Sequence, residues 1–239
     1  MTVDPARHDH AATAKCVAAR AAVTEIEDGM LVGLGTGTTM TFAIAALGER
    51  VAAGLRISTI ATSTATAHAA EAVGLRVHGF DTLSSVDIAL DGADEIDGYL
   101  RAIKGGGGAM LREKIVAAAA VRMIAIIDFS KQVATLGKCA LPVEALPFAA
   151  TFVSRSIEEL GATVSRRMVG AAVYSTDQNN AVLDCQFGMI EQPEALAAAL
   201  SAIPGVLGHG LFLDEIDIAY VGRMDGVLRL TRDVSGVAS

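Results

Sequence analysis

The sequence predicts an α/β fold: a parallel sheet covered on both faces by helices, with a smaller α+β domain inserted toward the C-terminal end. Three observations predict it. Apolar runs of strand length alternate with helix-period segments between residues 12 and 127, the pattern of strands joined by crossover helices. Several of those runs end in turns rich in glycine, threonine or aspartate, as expected where strands feed loops at one edge of a sheet. The pattern then changes near Pro142.

In chain order, an alanine-rich helix is expected over 12–28, stopped at Gly29. A short strand over 30–34 runs into Gly35-Thr36-Gly37, and a helix follows over 39–53. Strands are expected at 55–61, 75–78, 86–90, 100–103 and 123–127, with helices over 64–73 and from the glycine run to residue 120. Beyond Pro142 the order is helix (148–160), strands (163–169 and 181–187), helix (191–202) and strand (206–212). Strands at 216–221 and 227–230 return to the first domain. The expected division is 1–140 plus 213–239 for the larger domain and 141–212 for the smaller.

Composition narrows the function classes. The chain has 239 residues and is 52% apolar, enough for a sizeable core. No apolar run reaches the roughly 18 residues of a membrane span, and residues 1–10 lack the basic start and apolar run of a leader. A cytoplasmic protein is expected. Cys16, Cys139 and Cys185 are scattered and odd in number, which fits neither a disulfide framework nor a zinc site. The net charge of −8 disfavours nucleic acid, which needs a basic face. Among 19 basic residues only Lys15, Lys104, Lys114, Lys131 and Lys138 are lysine. Such a chain either keeps lysine where a compact ammonium is needed or reflects base composition; the count leaves both open.

Four motifs carry chemistry. Gly33-Leu34-Gly35-Thr36-Gly37-Thr38-Thr39 lies between a strand and a helix, where amides, hydroxyls and the helix N-terminus can hold a phosphate. It departs from the dinucleotide fingerprint, whose third glycine falls where Thr38 stands and which needs an acid about 20 residues on. Asp91-Gly92-Ala93-Asp94-Glu95-Ile96-Asp97 follows a strand and crowds four carboxylates; a solvated acidic turn is its bland alternative. Lys104-Gly105-Gly106-Gly107-Gly108 ends another strand, and Glu113 lies about a turn into the next helix. The run suits close approach of amides to a substrate oxygen, although Glu113, between Arg112 and Lys114, could equally be a surface residue. Asp128-Phe129-Ser130-Lys131-Gln132 is a further strand end, or a capping turn. His8, His10, His68, His78 and His209 have no metal-ligand spacing, and no metal or cofactor is expected.

Together these blocks resemble the type A ribose-5-phosphate isomerase family. The resemblance extends to Leu-Gly-Lys at 136–138, Leu-Pro-Val-Glu at 141–144 and Ile-Pro-Gly-Val at 203–206, and so covers nearly the whole chain. It implies a Rossmann-like domain carrying a small ferredoxin-like one. It implies interconversion of D-ribose 5-phosphate and D-ribulose 5-phosphate in the non-oxidative pentose phosphate pathway, by a homodimer or homotetramer. Glu113 then falls at the general base, with Asp91, Asp94 and Lys104 lining the sugar site, Gly92, Ala93, Gly105, Gly106 and Gly107 beside them. Lys15, Thr36, Gly37, Thr38, Thr39 and Lys131 fall where the family holds the phosphate. Of Asp91 and Asp94, Asp91 is assigned to ring opening. A metal-dependent hydride shift would need a His and carboxylate cluster, which the spacing does not offer. The alternative is a non-catalytic sugar-phosphate sensor on a related fold; such sensors carry an N-terminal helix-turn-helix, for which about 11 residues before the first helix leave no room.

Overall fold

The computed structural model describes residues 5–232 and side chains from residue 10 on; residues 1–4 and the His8 side chain, both considered above, lie outside the described residues. In chain order the larger part contains α1 (Pro5–Val23), β1 (Leu31–Leu34), α2 (Thr38–Ala52), β2 (Ser58–Ala61), α3 (Thr64–Ala72), β3 (Val77–His78), β4 (Val86–Asp91), β5 (Glu95–Ile96), β6 (Ala102–Ile103), α4 (Met110–Ala119) and β7 (Ala120–Asp128). Then follow β8 (Leu141–Ala145), α5 (Ala150–Glu159), β9 (Thr163–Arg166), β10 (Met168–Val169), β11 (Ala172–Val173), β12 (Ala181–Gln186), α6 (Pro193–Ser201) and β13 (Val206–His209). The chain closes with β14 (Leu211–Phe212), β15 (Ile218–Arg223) and β16 (Gly226–Thr231).

The main sheet has the order β16-β15-β7-β4-β1-β2-β3. Its pairings are parallel except for the β15–β16 hairpin. From β1 the chain steps to β2 and β3 on one side; β4, β7 and β15 build the other. The reversal between β1 and β4 opens a crevice at the C-terminal strand ends, where α/β sheets bind ligands. The strand β7 shows why both faces are covered: Ile124 and Ile126 pack with α1 and α2 residues such as Ala18, Met40 and Leu47, while Met123, Ala125 and Ile127 pack with Val116 of α4. Such a strand reads as a continuous apolar run rather than an alternating one. No helix among the described residues is long and apolar enough to cross a membrane.

The second sheet, β13-β8-β12-β9, is antiparallel throughout. With α5 and α6 it forms a β-α-β-β-α-β unit of ferredoxin-like order, and β10–β11 is a small separate hairpin.

Several expected elements come out differently. The first helix ends at Val23, not near residue 28. The amides of Thr24, Glu25 and Ile26 bond three residues back, and the Thr24 hydroxyl folds onto the Ala21 carbonyl, so the chain turns early and buries Ile26. The strand expected at 100–103 shrinks to β6, because Leu100 has a φ of 58° inside a turn held by the Asp97 carboxylate. It joins no parallel sheet, pairing instead with β5 and β14. The expected strand 206–212 divides at Gly210 between two sheets, and 163–169 breaks at Arg167.

Three strands, β5, β8 and β11, lie outside the expected set; β8 is the longest of them, and it carries Pro142, a residue that argues against a ladder. Pro142 lies one residue beyond the last β13 partner, His209↔Val143. The Gly210 amide still donates to the Pro142 carbonyl at 2.8 Å, and the Gly210 carbonyl, which proline cannot serve, accepts the Lys104 amide at 2.9 Å. The proline thus leaves an acceptor free for Lys104, the residue that follows β6.

Candidate functional site

The crevice between β1 and β4 holds a cleft of about 110 Å³. One end is built from the β1–α2 turn. Gly37 caps α2 with a φ of 113°, a left-handed conformation that suits glycine, and the first-turn amides behind it are an anion site of the helix-terminus kind. Thr36, Gly37, Thr38 and Thr39 line this end. Lys15 reaches in from α1 and donates to Thr38 Oγ1 at 3.2 Å. Lys131 comes from the turn after β7. Asp128 Oδ1 caps that turn by accepting the Ser130 amide at 3.0 Å, while its Oδ2 stands 4.0 Å from Lys15 Nζ. Thr36 differs from expectation in one respect. Its hydroxyl is not offered to the cleft but bonded to Thr62, Ser63 and Thr66 at 2.9–3.1 Å, so the side chain ties the turn to the end of β2.

The other end is lined by Gly92, Ala93, Asp94, Lys104, Gly105, Gly106, Gly107 and Glu113. Lys104 is 2% exposed. Its ammonium donates to the Gly92 carbonyl at 2.6 Å and pairs with Asp91 Oδ2 at 2.7 Å. Asp91 lies behind Lys104 rather than on the cleft wall, and packs so tightly under β1 that a Cβ on Gly35 would fall 1.9 Å from its carboxyl carbon. Asp94 faces the cleft and accepts the Gly106 amide at 2.8 Å.

Glu113 resolves the ambiguity of its sequence neighbours. Successive helical residues point about 100° apart, and here Arg112 goes to Asp177, Lys114 to Glu215, and Glu113 inward at 4% exposure. Glu113 Oε2 stands 3.2 Å from Lys104 Nζ, an ion-pair distance without hydrogen-bond alignment, so this buried oxygen has no hydrogen-bond partner among the described residues. Burial is the main cause that pushes the Glu113 carboxyl up to about 7; the Asp91 charge adds to it and Lys104 opposes. Asp91 is raised by burial against the pull of Lys104. Burial alone would lower Lys104, but Asp91 and Glu113 outweigh it and hold the ammonium above its ordinary range. Two carboxyls and one ammonium sharing a dry volume in this way titrate as a set.

Residues not anticipated from sequence support this end. Phe212 is fully buried with its ring 5.3 Å from Lys104 Nζ and 4.2 Å from Lys114 Nζ. Arg167 and Tyr174 reach the glycine run from the inserted part. Nothing in the pattern of Arg166-Arg167 distinguishes the exposed arginine from the mostly buried one.

The arrangement joins an anion end to a buried base beside a fixed cation, the set a proton transfer α to a carbonyl requires. Residues 58–226 match the family model of ribose 5-phosphate isomerase A (phosphoriboisomerase A). The ribose-5-phosphate isomerase A of Sphingopyxis alaskensis is 52% identical over 213 residues, 89% of this chain and 93% of that protein. Among solved structures, ribose 5-phosphate isomerase A of Methanocaldococcus jannaschii is 36% identical with a TM-score of 0.87, covering 91% of this chain and 98% of that one. A D-ribose-5-phosphate isomerase in complex with phospho-erythronic acid is 35% identical with a TM-score of 0.90, covering 93% and 99%. On its sequence and its fold alike, the chain belongs to the ribose 5-phosphate isomerase A family.

Proposed function

We propose that this chain interconverts D-ribose 5-phosphate and D-ribulose 5-phosphate through an enediolate, with the residues brought to the cleft in the following roles. The observation that carries the reading is the buried Oε2 of Glu113, which has no aligned hydrogen bond and is held only by the Lys104 ammonium at 3.2 Å. A carboxylate oxygen held by one ion pair and no hydrogen bond keeps a lone pair open, which suits a base that must take a proton from carbon. A sensor that merely held the sugar phosphate would have no use for it.

Ring opening moves a proton from the O1 hydroxyl to the ring oxygen, and Asp91, which stands behind Lys104 and not on the cleft wall, supports that step through its ion pair with the Lys104 ammonium. Glu113 then takes the proton from C2 and returns it to C1. The hydroxyl proton of O2 passes to O1, so aldose becomes ketose with no net gain or loss of protons. Charge on O1 in between is met by Lys104 and by amides of the glycine run. Lys15, Lys131 and the Thr38–Thr39 end of α2 hold the phosphate. Purified protein should convert ribose 5-phosphate without added nicotinamide, and conversion should survive EDTA; no conversion under these conditions would overturn the proposal.

The same reading carries the pathway role, the division into a larger domain and an inserted 141–212 domain, a cytoplasmic location and a homo-oligomer. The fully exposed Phe148 beside the half-exposed Phe152 on α5 supports an assembly face, which light scattering of the purified chain tests.

A further inference from the structure

The glycine run at the cleft is gripped from behind by one arginine of the inserted part. Arg167 Nη1 donates to the Gly105 carbonyl at 2.8 Å and to the Gly106 carbonyl at 3.1 Å. Its Nε donates to Asp184 Oδ2 at 3.0 Å, and Nη2 pairs with Asp184 Oδ1. The guanidinium is thus held as a fork on one side and spends its remaining donors on two consecutive peptides. Its side chain is 14% exposed, and the Tyr174 ring lies 5.9 Å from its central carbon. Tyr174 in turn closes over Gly108, where any Cβ would meet the phenol oxygen at 2.1 Å.

The consequence follows from peptide geometry. In a trans peptide the carbonyl and the following amide point in opposite directions. The Gly105 carbonyl is shared between Arg167 and the Gly108 amide, which donates to it at 2.9 Å, and the Gly106 amide points away from it and is found on Asp94 at 2.8 Å. With the Gly106 carbonyl drawn the same way, the Gly107 amide is likewise turned away from Arg167, and Gly107 lines the cleft. That amide has no hydrogen-bond partner among the described residues.

We propose that Arg167 is a positioning residue for the reaction, holding the Gly105 and Gly106 carbonyls outward so that the free Gly107 amide faces the negative oxygen that develops on the substrate. The catalytic half rests on the isomerase reading above; the geometric half does not. An amide placed for an intermediate, and not for the bound sugar, affects kcat rather than KM.

The test uses the full-length chain, Arg167→Ala and Arg167→Lys, with ribose 5-phosphate as substrate and phospho-erythronic acid as a charged mimic of the intermediate. Arg167→Ala should lower kcat by about 10- to 100-fold, less than outright deletion of an oxyanion donor, while KM stays within about threefold. Phospho-erythronic acid should bind more weakly by a factor close to the loss in kcat. Arg167→Lys should fall between, since one ammonium reaches the carbonyls but cannot also fork Asp184. The Gly106 and Gly107 amide resonances should shift and exchange faster in either variant, which is readable without substrate and in Lys even if Ala folds poorly. Unmoved Gly106 and Gly107 amides would overturn the positioning role whatever the substrate. So would a variant that loses only thermal stability, or one whose KM rises as much as kcat falls. A wild-type chain that leaves ribose 5-phosphate unconverted would instead overturn the isomerase reading and the catalytic half with it, while the amide resonances still decide the geometry.

Discussion

Glu113 has to be charged to act as a base, yet its surroundings favour the neutral form. Its carboxyl is pushed up to about 7, chiefly by burial. The rate constant kcat/KM should therefore fall as pH drops through about 7, following one proton taken up by the free protein; a profile flat down to the ordinary carboxylate range would remove Glu113 from the role. The same shift has a stability sign. A group whose native pKa is above its unfolded value binds more protons folded than unfolded, so its contribution weakens as pH rises from the unfolded pKa to the native one. Glu113→Gln should then lose most of the rate, at least about 100-fold, and yet gain stability relative to wild type more at about pH 8 than at about pH 5. Turnover and denaturant midpoints at the two values check both halves. At this scale the sequence was partly legible. Glycine runs and strand-end carboxylates have local signatures, whereas the inward turn of Glu113 between Arg112 and Lys114, each paired elsewhere, depends on how α4 docks, which no local pattern encodes.

Strand–turn–helix elements set the spacing between the two ends of the cleft. The β1–α2 turn serves both ends: Gly37 starts the helix whose N-terminus lines one end of the cleft, and Gly35 leaves the space that Asp91 fills. Gly35→Ala should push Asp91 off Lys104, because the new Cβ would sit 1.9 Å from the carboxyl of a fully packed residue. A loss of at least about tenfold in kcat, with a stability cost of about 1–3 kcal/mol for overpacking, is expected. Gly37→Ala meets nothing within 4 Å and should show mainly backbone strain, about 1–3 kcal/mol for a conformation that only glycine adopts readily. Equal effects on turnover from the two variants would contradict this division of labour. The parallel strands and their helices were readable from period and turn residues. The inserted unit was less so: β8 carries Pro142, which is tolerated because the Gly210 carbonyl finds its donor in Lys104, more than 100 residues earlier in the chain. Arg167 was invisible for the same reason, its partners being carbonyls of a distant loop.

The whole molecule sets a problem that the site must solve locally. The chain carries a net charge of −8 and the proposed substrate is a dianion, so the long-range field opposes encounter. The topology answers it by gathering scarce lysines at one point: Lys15 from α1, Lys131 from the turn after β7, and the N-terminus of α2 between them. These elements meet only because the strand order reverses between β1 and β4, a long-range arrangement that no single motif encodes. The phosphate is remote from C1 and C2, but its binding can hold those carbons against Glu113. Lys131→Ala should raise KM strongly and lower kcat/KM for ribose 5-phosphate by about ten- to a hundredfold, the range of a charge-assisted contact. Free ribose has no phosphate to lose, so its kcat/KM should hardly change, and the ratio between the two substrates should fall by the same factor. The loss should also shrink as salt is raised, since screening weakens what a half-exposed ammonium supplies. Measuring both substrates in wild type and variant separates the alternatives: an unchanged ratio would mean that Lys131 does not read the phosphate, and that the turn capped by Asp128 serves packing alone.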